Sequence, residues 1–182
     1  MSRSQVTVLV LVAFLSLLGC DGQAGAPPTQ LVSPGELSFE TERAHGLELS
    51  LRIDPATTAS GGSFTATFAI TNRRDRAATL ISGCTQLARG VVYRAGDEEH
   101  QWFIGASGGC YTATSEYRLD VGESFEQVWN ATAATLVYLG DFQWETIAAP
   151  PGDYFFRVSA DVIRLDEEQA RLPELQAAFR VK

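Results

Sequence analysis

The residues of this chain whose chemistry can be assigned most directly are its three cysteines, Cys20, Cys84 and Cys110. A thiol can be acylated, can pair in a disulfide or can bind a soft metal ion. Cys20 follows a charged start, Arg3, and an apolar run over residues 6–18. As a helix this run reaches only about 20 Å, short of the roughly 30 Å hydrocarbon core of a bilayer. Its length and its charged start are therefore typical of a secretory signal.

Leu17, Leu18, Gly19 and Cys20 end the apolar run, and this order resembles the lipobox of bacterial lipoprotein signals. The resemblance implies that diacylglycerol is attached to the Cys20 sulfur, that the chain is cut before Cys20, and that a fatty acid such as palmitate acylates the new amino terminus. Two or more acyl chains hold a protein on a bilayer, whereas one gives only marginal binding. We therefore expect a lipid anchor in the bacterial cell envelope, facing the periplasm or the exterior. The alternatives are an ordinary secretory signal with a chance cysteine and an uncleaved membrane anchor.

Once lipid is assigned to Cys20, Cys84 and Cys110 remain as a pair. Exported proteins fold in an oxidising compartment, so the simplest prediction is a disulfide between them, which contributes about 3–4 kcal/mol in the chain-entropy model. A metal site and free thiols are the alternatives. Zinc takes four ligands, usually closely spaced, and neither His45 nor His100 belongs to a paired motif. We expect no metal and no cofactor.

Composition divides the chain into three parts. Residues 1–19 are the predicted signal peptide, expected as a helix. Residues 20–37 are rich in Gly, Ala and Pro, which cannot bury a core, and they predict a lipidated flexible tether, with a first edge strand as the alternative. Residues 38–182 have the size of one domain. The formal charge of −8 argues against a nucleic-acid partner and leaves the lipid anchor as the expected membrane contact.

A period of two runs through this domain. Residues 47–53, 64–70 and 154–162 alternate apolar with polar side chains, as strands with one buried face do. Residues 96–99 are predicted as a turn. Residues 135–147 are apolar and aromatic with a Gly-Asp pair inside them, which predicts either a hairpin or an irregular crossing segment. Seven to nine short strands without a helical period predict an all-β, immunoglobulin-like antiparallel β-sandwich.

Several short motifs in residues 45–165 carry a second resemblance, to the bacterial intracellular proteinase inhibitor (BsuPI-type) domain. The motifs are Gly96-Asp97, Gln101-Trp102-Phe103, Gly122-Glu123-Ser124, Val128-Trp129-Asn130 and Pro151-Gly152-Asp153-Tyr154. The resemblance implies an immunoglobulin-like sandwich. The family's inhibitory activity transfers less directly, because function belongs to a site and not to a fold.

The sequence has no His-Glu-x-x-His and no glycine-rich phosphate loop, and the letters Gly-x-Ser-x-Gly occur only at residues 105–109, which are predicted as a flexible loop. His45 and His100 are predicted as solvated surface histidines. Asp97, Glu98 and Glu99 are predicted as a solvated acidic turn, because consecutive acids in a strand point to opposite faces and seldom converge on Ca²⁺. We predict that the protein is not an enzyme.

Aromatic residues are the remaining candidates for a binding surface. Trp102 and Trp129 lie in predicted strands and are expected to be buried, whereas Tyr111 and Trp144 are better candidates for exposure. The leading hypothesis is a lipid-anchored, non-enzymatic immunoglobulin-like module for protein binding or assembly. The alternative is an envelope protease inhibitor of BsuPI-like type, whose loop is held by the predicted disulfide. The sequence names neither the partner nor the residues that bind it.

Overall fold

Alternating apolar residues build the first sheet, as the sequence predicts. Leu47, Leu49, Leu51 and Ile53 are fully buried, while the side chains between them face the other side of the sheet. The same alternation runs through residues 63–72. Each of these strands therefore presents one apolar face to the interior.

The computed structural model describes residues 37–101 and 113–182, and all regular structure in these residues is β-strand. The all-β sandwich predicted from the sequence is confirmed. The strands are β1 (Ser38–Ala44), β2 (Leu47–Asp54), β3 (Thr57–Thr58), β4 (Ser63–Asn72), β5 (Ala78–Ser82), β6 (Ala88–Arg94), β7 (Asp97–Gln101), β8 (Ser115–Leu119), β9 (Ser124–Thr132), β10 (Ala134–Gly140), β11 (Gln143–Ala148), β12 (Gly152–Ala160), β13 (Val162–Leu165), β14 (Glu168–Gln169) and β15 (Leu175–Val181).

These strands form three larger sheets and one hairpin. The first sheet has the order β1-β2-β4-β9, the second β3-β15-β12-β6-β7, and the third β14-β13-β5-β8. β10 and β11 pair only with each other. The pairing of β3 with β15 is parallel, and the other pairings of these strands are antiparallel.

Aromatic rings join the first sheet to the second. Phe64 of β4 contacts Phe179 of β15 with ring centroids 4.7 Å apart, and it meets Phe156 of β12 edge-on at 6.2 Å. Trp129 of β9 packs on Phe156 at 5.4 Å. Gly90 of β6 completes this cluster, because a Cβ there would lie 2.6 Å from Cζ of Phe156. The core between the sheets thus depends on a glycine that leaves room for a ring.

The strand registers define two ends of the sandwich. Ser38 pairs with Ile53, and β4 begins at Ser63 opposite Thr132. We call this the entry end, because residue 37 leads into β1 there. At the opposite end Ala44 pairs with Leu47, and Leu47 pairs with Asn72.

The structure differs from the sequence predictions in three details. The described residues form fifteen strands rather than seven to nine, because some are two-residue pairings and others follow a short break, such as β13 after Asp161. β1 was not among the predicted strands: its residues are mostly polar and exposed, as an edge strand permits. Asp97 already lies in β7, so the predicted turn over residues 96–99 is confined to Ala95 and Gly96.

The predicted signal peptide, residues 1–19, and residues 20–36 of the predicted tether lie outside the described residues. The part of the chain that the structure describes contains no helix long and apolar enough to cross a bilayer.

Candidate functional site

The most unusual surface of the described residues is the hairpin of β10 and β11. Tyr138 pairs with Trp144, and Gly140 pairs with Gln143 across a two-residue turn. Asp141 and Phe142, the turn residues, have φ angles of 47° and 60°. Two positive φ angles are typical of a type I′ turn, whose twist matches that of the strands. Residues 135–147 therefore form a hairpin, the first of the two predicted possibilities.

Large apolar side chains are exposed along the whole hairpin. Of the twelve such residues in the described chain, seven belong to it, so the exposure is clustered rather than scattered. They are Leu136, Val137, Tyr138, Leu139, Phe142, Trp144 and Ile147. Clusters of this kind mark interaction sites, whereas single exposed apolar residues are ordinary.

The tip of the hairpin is the most exposed part. Phe142 is 94% exposed even though a bulky residue at a positive φ costs roughly 1–2 kcal/mol. Its amide donates a hydrogen bond to the Tyr138 hydroxyl at 3.4 Å. The Tyr138 and Trp144 rings lie 4.9 Å apart, which fixes two aromatic surfaces beside the tip. A strained and solvated phenylalanine contributes nothing to the core, so its presence points to another role.

The base of the hairpin is buried and attached to the entry end. Ala133 and Ala149 are almost fully buried, and the Ala149 amide donates to the Ala133 carbonyl at 2.7 Å. The Ala133 amide donates to the Gly62 carbonyl at 2.8 Å. The chain therefore enters the domain, and the hairpin leaves it, at the same end of the sandwich.

A polar groove of about 560 Å³ lies at the opposite end. His45, Arg74, Arg76 and Asp166 line it together with Glu167 and Glu168. The side chain of His45 is exposed, in agreement with its prediction as a solvated histidine.

Asp166 organises this groove. Its Oδ1 accepts a hydrogen bond from the Thr79 amide at 2.9 Å, and its Oδ2 accepts one from Arg74 at 2.8 Å, with Arg76 3.6 Å away. The Thr79 amide above all, and also the Arg74 guanidinium, hold the pKa of Asp166 below its ordinary value against the opposing effect of burial. Because these partners satisfy the carboxylate, its role is to join the turn at Asp166 to Arg74 and to β5.

The predicted site cysteines fall largely outside the described residues. Cys84 is buried and disulfide-bonded, while Cys110 and Cys20 lie outside the described chain. The Cys84–Cys110 pairing and the lipidation of Cys20 therefore stay predictions. The described residues contain no group of three or more His, Cys, Asp or Glu that could hold a metal ion.

The aromatic predictions have a clearer outcome. Trp129 is buried at 5% exposure and Trp144 is 61% exposed, as predicted. Trp102 and Tyr111 lie outside the described residues, as does part of the loop on which the inhibitor hypothesis depends. Sequence reasoning missed Phe142 and the aliphatic residues beside it. The signal that could have found them is the number of large apolar side chains in residues 135–147. They are too many to be buried on one face of a strand, so some of them must be exposed.

Comparison with known proteins does not identify a function for the chain. No family model matches the chain, and no curated protein matches it. Among solved structures, two of a β-glucosidase from Listeria innocua, one with glucose and one with gluconolactone, are similar at a TM-score of 0.37 with 16% and 17% identity. Each covers 80% of this chain, while the chain spans only 16% of the β-glucosidase. A similarity at this TM-score supports no conclusion about function.

The substitution Asp166→Asn tests the role of this carboxylate, since asparagine tolerates the positive φ of 55°. A pKa lowered in the folded state stabilises the protein above the unfolded-state value, near 3.8, and this stabilisation is lost as the pH falls through the folded-state pKa. We expect the variant to be less stable than the native chain at pH 7 and the difference to shrink below about pH 4. Urea unfolding at pH 7 and pH 3 measures it. Asp75→Asn, at an exposed position, is the control, and a pH-independent difference for Asp166→Asn contradicts the assignment.

Proposed function

We propose that this chain is a lipid-anchored protein of the bacterial cell envelope whose immunoglobulin-like domain acts by binding other proteins, in recognition or assembly, and not by catalysis. The observation that supports the proposal is the β10–β11 hairpin, whose seven large exposed apolar side chains have no part in the core of the domain. The lipobox resemblance at Cys20 supports the anchor.

The chemistry of the hairpin suits a protein-binding element. Aromatic side chains supply most of the binding energy at many interfaces, because they bury a large area with few rotatable bonds. Tyr138 and Trp144 are already in contact with each other, so they lose little conformational freedom on binding. Phe142 stands at the tip, where it can enter a pocket of a partner.

The hairpin is unfavourable for stability and solubility, and this supports the same interpretation. All of β11 is exposed, and β10 is exposed from Leu136 to Leu139. An isolated two-stranded hairpin is marginally stable in water, and exposed apolar strands favour aggregation. A domain that keeps such an element on a buried base gains nothing in stability from its tip, which is consistent with selection for binding.

The lipid anchor gives the first test. When cells expressing the full chain are grown with labelled palmitate, we expect the native protein to carry the label and to fractionate with membranes. Cys20→Ala removes the acceptor sulfur and is expected to abolish the label and to leave the signal uncleaved. Ser33→Ala, in the predicted tether, keeps Cys20 and serves as the control. An equally labelled Cys20→Ala chain contradicts the anchor.

The hairpin gives the second test. The double substitution Phe142→Ser and Trp144→Ser removes two exposed rings, and we expect it to change the free energy of unfolding by no more than about 1 kcal/mol, the contribution of the Tyr138–Trp144 cross-strand pair. Since aromatic anchors contribute at least about 1 kcal/mol each, crosslinked complexes of the chain in intact cells should fall at least about tenfold. Formaldehyde crosslinking followed by immunoblotting measures this.

Val121→Ser is the matched control for this test. Val121 is as exposed as Trp144, at 61%, but it lies in the turn before β9, at the opposite end of the sandwich. Complexes that persist in the double variant, or that are lost equally in the control, contradict the proposal.

A further inference from the structure

The charges of the hairpin have one sign. Between residues 133 and 149 there are two acidic residues, Asp141 and Glu145, and no Lys or Arg. Both are exposed. Within the part of the chain that the structure describes, neither takes part in an ion pair.

The apolar residues surround these carboxylates on two faces. Leu136, Tyr138 and Trp144 share one face of the hairpin, because Tyr138 and Trp144 are cross-strand partners and Leu136 lies two residues before Tyr138. Val137 and Glu145 are paired on the other face. An element that is apolar on both faces and at its tip can bury more of its apolar surface in a cleft than against a flat surface.

We infer that the partner receives the hairpin in an apolar cleft of a protein whose rim carries Lys or Arg side chains positioned to pair with Asp141 and Glu145. This inference rests on the proposed function and adds the chemistry of the partner site. Complementary charges at the edge of an apolar contact raise the association rate and fix the orientation. The acidic chain, with a formal charge of −8, favours cationic partners in the same way.

A bilayer is the competing occupant, because the predicted tether enters at the same end as the hairpin. Seventeen residues, 21–37, reach at most about 60 Å, so the tip lies within range of the membrane. The position of Asp141 argues against insertion. It lies beside Phe142 at the turn, so inserting the ring carries a carboxylate to the same depth, where it is costly.

A second copy of this chain fits less well. The groove at the opposite end contains Arg74 and Arg76, but Asp166, Glu167 and Glu168 lie in the same groove. Asp166 is already paired with Arg74. An acidic hairpin therefore meets three carboxylates there against two guanidinium groups.

The test is site-specific photo-crosslinking of the full chain in intact cells, with p-benzoylphenylalanine in place of Phe142. We expect a discrete protein adduct from this position and none when the probe replaces Val121. Asp141→Asn and Glu145→Gln together keep the shape of both side chains and remove their charges, so the adduct should fall at least about fivefold. Glu40→Gln and Glu42→Gln, at two exposed acids of β1, change the net charge equally and should leave the adduct unchanged.

The other outcomes separate the two proposals. A protein adduct that is insensitive to Asp141→Asn and Glu145→Gln overturns the cationic cleft but keeps the hairpin as a binding element. A phospholipid adduct, detected with ³²P-labelled lipid, overturns the inference in favour of the bilayer. The absence of any adduct from position 142 overturns both the cleft and the binding role of the hairpin. Circular dichroism of each purified variant establishes that it is folded.

Discussion

The packing of the Phe156 ring against Gly90 is the contact on which the rest of this structure depends. The ring fills the space that a Cβ at residue 90 would occupy, and it also contacts Trp129 and Phe64 of the first sheet. β9 and β12 are thereby fixed to each other across the core. These are the strands immediately before and after the hairpin, so the same contact fixes the two points from which β10 and β11 extend.

The hairpin thus combines a rigid base with a solvated tip. Ala133 and Ala149 hold the base by backbone hydrogen bonds and burial, whereas Phe142 is held at a positive φ with its ring in solvent. A rigid base reduces the entropy that is lost when the tip becomes ordered in a complex. The acidic residues then restrict which complexes are favourable, since every carboxylate that is buried there needs a cationic partner.

Much of the sandwich could be predicted from the sequence because burial on one face imposes a period of two. Leu47, Leu49, Leu51 and Ile53 show this period and are buried, while β1 escaped prediction because an edge strand can be polar on both faces. The turn of the hairpin was harder to place. The Gly-Asp pair at residues 140 and 141 left a hairpin and an irregular segment both open, and the structure places the turn at Asp141 and Phe142. Local preference alone excludes phenylalanine from such a position, so the exposed tip was not predictable.

The central claim is that the hairpin is covered by a partner in the cell although it is exposed on the isolated chain. Hydroxyl-radical footprinting tests this directly, because oxidation of Trp144 depends on its contact with water. We expect Trp144 and Phe142 of the purified chain to be oxidised readily and the same residues in intact cells to be protected several-fold, while Val121 is oxidised equally in both. Equal oxidation of Trp144 in cells and in the purified chain contradicts the account.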